Sequence, residues 1–175
     1  RYRIWNGTNW GAGWTTIGSV ATENATYDIG MSVAVSPSTG DLYLAYISGY
    51  VALGADDQIR TARYTGGAWT TTKEALRYTE YGITSVALAL DSSNDDVYVA
   101  YSARTNPATV ASARVYYRIS RDDMTSWGNP QGPVDTAADD VYGVDVNSAS
   151  SERLFVSWFD NTDDDILGDT IADIF

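Results

Sequence analysis

The sequence contains neither cysteine nor histidine among its 175 residues. Disulfide bonds, thiolate zinc sites, cysteine nucleophiles and serine–histidine–aspartate catalysis are therefore excluded within this chain. It also lacks any apolar run of the ~20 residues that a membrane-spanning helix requires, so we expect no membrane insertion. No basic-then-apolar leader stands at residues 1–10, so we expect a signal peptide to be either absent or already removed.

Basic residues are scarce as well. The chain has 11 of them against 23 acidic residues, for a net charge of −12, and Lys73 is its only lysine. Phosphate groups repel such a chain, so we expect no nucleic-acid partner and no attraction to anionic membranes. The composition suits a secreted protein or a salty milieu, and we expect an extracellular or cell-surface location. Sequons beginning at Asn6 and Asn24 are candidate N-glycosylation sites in that setting, with chance occurrence in a threonine-rich chain as the alternative.

A repeat of about 56 residues is the most informative feature of the sequence. A short apolar segment, a turn and a second apolar segment occur three times. The second segments end at Tyr46, Tyr101 and Trp158, which are 55 and 57 residues apart. A tryptophan also recurs at nearly the same interval. The three positions are Trp10, Trp69 and Trp127, which are 59 and 58 residues apart.

Each repeat reads as four strands, with no sustained 3.6-residue apolar period that would indicate a helix. In the first complete repeat we predict strands at Val33–Ser36, Leu42–Tyr46, Ile59–Tyr64 and Trp69–Leu76, separated by glycine- and proline-containing turns. Four-stranded units at this interval are typical of β-propeller blades, and a β-solenoid is the competing architecture. We therefore predict an all-β fold, a partial β-propeller of four-stranded antiparallel blades.

We predict that residues 1–175 form one propeller segment, and the phase of the repeat divides this segment into blades. Residues 1–20 are the end of one blade, 30–76 and 83–134 are blades, and 141–175 are an incomplete blade. Propellers close with 4–8 blades. We expect the ring to be completed either by further blades of the same polypeptide or by other copies of the chain.

The third and fourth strands of the second blade are joined by Ser120-Arg-Asp-Asp-Met-Thr-Ser-Trp127. This segment resembles the Asp-box, S-x-D-x-G-x-T-W, of sialidase-like (BNR repeat) propellers. Met124 replaces the glycine and Ser126 replaces the threonine. The resemblance implies that Ser120, Asp122 and Trp127 are structural residues of a turn that lies away from the catalytic face.

The resemblance also implies what a catalytic member would need. Sialidases use three arginines that clamp a carboxylate, a tyrosine–glutamate nucleophile pair and an aspartic acid. Arg1, Arg60 and Arg118 each stand nine residues before a repeated tryptophan, and this recurrence indicates packing rather than a clamp. We assign no catalytic residue. We expect a non-catalytic module that provides binding or assembly surface, with a fragment of a sialidase-type glycoside hydrolase and a carbohydrate-binding propeller as the alternatives.

Aromatic residues make up 13% of the chain. Those of the second strands are expected mainly in the core, namely Tyr43, Tyr46, Tyr98, Tyr101, Phe155 and Trp158. Loop residues can instead stack on sugars or anchor a partner. Tyr50 and Tyr81 are therefore candidate ligand-facing residues for glycans, with blade-to-blade packing as the alternative. Arg77 and Arg104, which we also expect in loops, are candidates for a bidentate clamp on a ligand.

The acidic residues cluster in loops. Asp160, Asp163 and Asp165 lie in one such loop, and their carboxylates are candidate ligands for calcium. A solvated acidic loop is the alternative. Asp56-Asp57 and Asp95-Asp96 form further acidic pairs, in a loop and in a hairpin turn. No other cofactor is expected.

Overall fold

The computed structural model describes residues 3, 7–13, 30–48, 57–70, 73–78, 82–91, 93–104, 113–134, 141–149, 153–160 and 172–174. These residues form eleven β-strands and no helix, and every strand pairing is antiparallel. The all-β prediction is confirmed. A search of this part of the chain for an apolar helix long enough to cross a bilayer finds none.

The first sheet contains five strands. They are β1 (Met31–Val35), β2 (Leu42–Ser48), β3 (Asp57–Thr65), β4 (Ala68–Trp69) and β5 (Lys73–Tyr78). The order is β1-β2-β3-β4, and β5 also pairs with β3. The first three predicted strands are observed within a few residues of their expected bounds. The predicted fourth strand differs, because it is divided into β4 and β5.

A threonine hydroxyl accounts for the division. The backbone N–H of Arg63 donates to Thr70 Oγ1 at 3.0 Å, while the N–H of Thr70 donates to the Arg63 carbonyl at 2.7 Å. The Thr70 hydroxyl thus replaces a backbone carbonyl as the acceptor, and this replacement interrupts the β-ladder. The regular pairing stops there and resumes with β5 opposite the first half of β3.

The second sheet contains β6 (Ile83–Leu90), β7 (Val97–Arg104) and β8 (Ala113–Ser120) in that order. A fourth strand is only partly formed along β8. Tyr117 and Gln131 exchange backbone hydrogen bonds of 3.1 and 2.9 Å. Pro130 and Pro133 have no N–H to donate, so the segment cannot complete a ladder.

The third sheet contains β9 (Val141–Ala149), β10 (Arg153–Asp160) and β11 (Ala172–Ile174) in the order β11-β10-β9. The described strands therefore form one five-stranded and two three-stranded sheets. They form no closed ring, and none of the three sheets has four strands. The division into propeller blades stays a prediction.

The three sheets stack face to face, with the second in the middle. Alternate residues of a strand point to opposite faces. Accordingly, Val86 and Leu88 of β6 pack against the first sheet, whereas Ala87 and Ala89 pack against the third. Because both faces of the second sheet are covered, β7 is a nearly continuous apolar run.

The strands connect at two ends that differ in character. We call the edge with the tight turns at 36–41, 66–67, 91–96 and 121–127 the turn end. We call the opposite edge, where the connections between β2 and β3, β5 and β6, and β7 and β8 begin, the loop end. Candidate functional residues lie at both.

Candidate functional site

Asp122 organises the turn that follows β8. Its Oδ1 accepts hydrogen bonds from Ser120 Oγ and from the Ser126 N–H, both at 2.9 Å, and its Oδ2 accepts one from Ser126 Oγ at 2.6 Å. Ser120 Oγ in turn accepts the Met124 N–H at 2.9 Å. The bonds from Ser126, followed by that from Ser120, hold the pKa of Asp122 below its usual value. The residues of the predicted box therefore close one turn among themselves.

Met124 occupies the position where the Asp-box pattern has glycine. Its φ of 62° lies in the left-handed region that glycine adopts without cost, which costs other residues about 1–2 kcal/mol. Its side chain is only 3% exposed and lies in the core between the first and second sheets. Burial of a methionine stabilises by about 1.5–3 kcal/mol, which offsets the backbone cost.

Four residues connect this turn to the first sheet, and we call them the Tyr43 cluster: Asp41, Tyr43, Arg63 and Asp123. Tyr43 donates its hydroxyl to Asp123 Oδ1 at 2.8 Å, and an Arg63 nitrogen lies 2.8 Å from Asp123 Oδ2. Arg63 also bonds Asp41 Oδ2 at 2.6 Å and places its guanidinium 5.4 Å from the centre of the Tyr43 ring. The hydrogen bond from Arg63 lowers the pKa of Asp41, whereas burial and the bond to Asp123 raise the pKa of Tyr43.

The other acidic side chains of the turn end also join neighbouring hairpins. Asp95 accepts the hydroxyl of Ser36 at 3.0 Å, and it accepts that of Ser38 as well. Arg121 lies 3.3 Å from Asp96. These bonds connect the β1–β2 turn to the β6–β7 turn and the β6–β7 turn to the turn after β8. The arrangement is that of a structural cross-link.

Trp127 and Arg118 border the same turn. Trp127 packs half-buried against the core between the first two sheets. Its indole N–H is buried and has no acceptor among the described residues. Arg118 donates to the Gly128 carbonyl at 2.6 Å and also to the Ala75 carbonyl in β5 of the first sheet. Arg118 therefore joins two sheets.

The prediction that Arg60 and Arg118 occupy equivalent positions of their third strands is wrong. Arg60 pairs with Tyr46, whereas the equivalent Tyr101 pairs with Tyr116, and Arg118 lies two residues further along β8. The turn after β3 has only two residues between strands, while the box turn is longer. Equal distances to a tryptophan therefore correspond to different strand positions.

At the loop end, Asp57 is a buried carboxylate in a strand, so the prediction that it lies in a loop is wrong. It is the first residue of β3 and is 1% exposed. Its Oδ2 accepts the Ile83 N–H at 2.9 Å, and its Oδ1 has no partner in the described part of the chain. Burial raises its pKa. The signal was available in the alternation of β3, because Asp57 shares a face with the buried residues Ile59 and Thr61.

Three hydroxyls form a second polar group near the loop end. Ser102 Oγ is buried and lies 2.6 Å from Thr84 Oγ1 and 2.5 Å from Ser85 Oγ. Ser85 Oγ also accepts the Val144 N–H at 3.1 Å. The hydroxyls satisfy one another and one backbone group of the third sheet, which fits a role in joining sheets.

The predicted ligand residues are only partly described. The prediction that Arg77 and Arg104 lie in loops is wrong, because the backbone places Arg77 in β5 opposite Gln58 and Arg104 at the end of β7 opposite Ala113, both at the loop end. Their side chains lie outside the described part. So do Tyr50, Tyr81, Asn6 and Asn24, and ligand binding and glycosylation stay predictions.

The acidic loop after β10 is likewise mostly outside the described residues. Asp160 ends β10 opposite Val141, but its side chain and the residues Asp163 and Asp165 are not described. Within the described ranges, no three acidic, histidine or cysteine side chains are close enough to hold a metal ion. The calcium site stays a prediction.

Comparison with known proteins gives one kind of match. No protein-family profile and no curated protein matches the chain. Among solved structures, the chain is similar to the Hadza microbial sialidase Hz136, with a TM-score of 0.53 and 15% sequence identity. The match covers 77% of this chain and 32% of that one, so the chain spans about a third of the sialidase's length. At this identity the likeness shows the fold alone, and that fold is sialidase-like.

Proposed function

We propose that this chain is a segment of a sialidase-like β-propeller and serves as a non-catalytic extracellular module that provides binding or assembly surface. One observation carries the proposal. The outer face of β1 exposes Met31, Val33 and Val35 by 69%, 54% and 56%, although the same strand is packed on its other side. Alternate apolar residues exposed along one strand are typical of a face that binds another protein surface.

The stacking of the sheets supports the propeller arrangement. The first strands β1, β6 and β9 lie side by side, and a groove of about 330 Å³ runs along them. Residues of all three strands line it, among them Ser32, Leu88 and Asp145. In a propeller, the first strand of each blade lies next to the central channel. Each sheet then corresponds to one blade, and the groove corresponds to part of the channel wall.

The turn end supports a structural role for the Asp-box. We assign Ser120, Asp122 and Trp127 to it, as residues that close the turn after the third strand of a blade. The carboxylates described at this end all bind other groups of the chain itself, five of them by accepting hydrogen bonds and Asp96 by an ion pair with Arg121. They are Asp41, Asp91, Asp95, Asp96, Asp122 and Asp123. Such contacts fit a role in holding the fold together.

A second candidate function is carbohydrate binding or sialidase-type glycoside hydrolysis. The observation that favours it is the similarity to a sialidase. Its site would lie at the loop end, opposite the Asp-box turn, where the backbone places Arg77 and Arg104. The residues Tyr50 and Tyr81 belong to the same connections.

The whole protein that contains this chain separates the two candidates. It would be assayed for release of a fluorogenic aglycone from a sialoside and for binding to a glycan array. The doubly substituted variant R77A/R104A would be compared with R121A, which removes one arginine at the turn end. We expect no hydrolysis and no sugar binding by any form. Hydrolysis that is lost only in R77A/R104A would overturn the non-catalytic assignment, and sugar binding lost in the same variant would establish the carbohydrate-binding module.

A further inference from the structure

The two junctions between sheets are built on the same plan. At the first junction, β1 turns Ser32 and Ala34 towards β6, and β6 packs Val86, Leu88 and Leu90 on that side. Small residues of one first strand thus meet large apolar residues of the next. The backbone N–H of Leu88 donates to Ser32 Oγ at 3.0 Å, which gives this strand an acceptor across the junction.

The second junction repeats the plan. Here β6 turns Ala87 and Ala89 towards β9, and β9 packs Val144 and Val146 against them. The N–H of Val144 donates to Ser85 Oγ at 3.1 Å, again from a backbone group to a serine of the preceding sheet. Each sheet therefore has a face for the following sheet and a different face for the preceding one.

The second strands of the three sheets are β2, β7 and β10. Each places one aromatic residue on the same side of its sheet, the side that faces the following sheet. Tyr43 pairs with Ala34, Tyr98 pairs with Ala89, and Phe155 pairs with Asn147 in the third sheet. The two tyrosines are 1% and 3% exposed, whereas Phe155 is 39% exposed. Phe155 was expected in the core. It is exposed because no described residues cover the face of the third sheet on which it lies.

On the open face of the third sheet, Asp145 occupies the position that Ser32 has in the first sheet. Ser32 pairs with Ala45 across the first sheet, and Asp145 pairs with Ser157 across the third. By this register Asp145 occupies the position of Ser32. It is exposed, and its Oδ1 accepts the N–H of its neighbour Val146 at 2.9 Å. A carboxylate in this place can accept a backbone N–H from an incoming strand, as Ser32 does.

The open face of β1 is the matching half. Met31 pairs with Tyr46, and Val86 pairs with the equivalent Tyr101, so Met31 has the place of Val86. By the same register Val33 has the place of Leu88. Val86 and Leu88 pack on the first sheet, whereas their equivalents Met31 and Val33 are exposed. Leu44, which pairs with Val33 on this face, is only 5% exposed, so the face is open along β1 and covered at β2. The open strip along β1 and the open face of the third sheet are thus the two sides of one junction.

We propose that the outer face of β1 of one copy packs on the outer face of β9 and β10 of a second copy, head to tail. The contact places Val33 against Phe155 and lets the Val33 N–H donate to Asp145. It rests on the proposed function, because it names the partner of the proposed assembly surface. A contact between two different faces is heterologous, so it continues into either a closed ring or an open chain.

The test uses two variants that each block one side. In V33D a charge is placed on the face of β1, and in F155D a charge is placed on the face of β10. Sedimentation of the full 175-residue chain should show self-association, and each variant alone should be a monomer. An equimolar mixture should form a 1:1 complex, because V33D retains its β10 face and F155D retains its β1 face.

Further variants make the result specific. D145A should weaken the association at least about tenfold, the usual effect of losing a hydrogen bond to a charged group. T125D is the control variant. It adds the same charge at the exposed box turn and should leave the self-association unchanged. Circular dichroism would check that each variant is folded, and V35D on the same face replaces V33D if that variant unfolds.

Two outcomes would overturn the head-to-tail contact: a folded wild-type chain that stays monomeric at every concentration, or a mixture without complex. Neither would overturn the proposed function, since further blades of one polypeptide would still cover the same faces. The glycan and hydrolysis assays decide that function separately.

Discussion

The hydroxyl of Tyr43 donates a 2.8 Å hydrogen bond to Asp123, which lies 80 residues later in the chain and in the neighbouring sheet. The bond connects the second strand of one repeat to the box turn of the next. Tyr43 is 1% exposed, and Arg63 covers its ring and binds the same carboxylate. The box turn is therefore held by contacts to the preceding sheet as well as by its own hydrogen bonds.

The substitution Tyr43→Phe tests that bond. It removes the hydroxyl and keeps the buried ring, so it should lower the free energy of unfolding by about 1–2 kcal/mol. Urea denaturation would measure the change. Tyr117→Phe is the matched control, because the Tyr117 hydroxyl makes no hydrogen bond among the described residues. An equal loss in the two variants would contradict a specific role for the Tyr43–Asp123 bond.

Met124→Gly tests the departure from the Asp-box pattern. Glycine removes the cost of the left-handed backbone, about 1–2 kcal/mol, but it also removes a buried side chain, which costs about 2–5 kcal/mol. We therefore expect a net destabilisation of about 2 kcal/mol, although glycine is the residue of the pattern. Met124→Leu keeps the apolar volume and should change stability by less than about 1.5 kcal/mol. A more stable glycine variant would contradict the balance described for this turn.

Asp122→Asn should destabilise the protein at neutral pH and have little effect in acid. The folded pKa of Asp122 is lower than the unfolded one, so its charged form stabilises the fold above about pH 4. This stabilisation is lost as the pH falls through the lower folded pKa. Melting temperatures of wild type and variant at pH 7 and pH 3 would measure the effect. A difference that stays constant with pH would show that the carboxylate charge is not involved.

Asp57→Asn should show the opposite dependence. Burial raises the folded pKa of Asp57, so its contribution to stability is present below the unfolded pKa and is lost as the pH rises through the folded pKa. The amide can still accept the Ile83 N–H through its oxygen but carries no buried charge. The variant should therefore melt higher than wild type at pH 7 and close to it at pH 3. A lower melting temperature at pH 7 would contradict this account.

The strands of the first repeat were predictable because turns with proline or glycine separate short apolar runs. Leu42–Tyr46 is one such run, and it forms the centre of β2. The exclusion of helix followed from the absence of a helical period and is confirmed for the described residues. The closed hydrogen-bond pattern around Asp122 followed from a short polar residue placed at a tight turn.

Other features were not predictable, for reasons that are physical. The break at Thr70 depends on one hydroxyl replacing a carbonyl, which the strand pattern does not contain. The positions of Arg60 and Arg118 depend on turn length, which shifts the register. Phe155 has the same sequence environment as Tyr98, and only the stacking order of the sheets shows that one face stays open.

The serine hydroxyls that accept backbone groups across the junctions have a consequence for how this chain can change in length. In the described residues, no backbone-to-backbone hydrogen bond links one sheet to the next. Each hydrogen bond described between neighbouring sheets therefore has a side chain as its donor or its acceptor, and no β-ladder crosses from one sheet to the next. A whole unit can be duplicated or deleted by recombination without rebuilding any ladder, provided that the new neighbours keep a small polar acceptor opposite a large apolar residue.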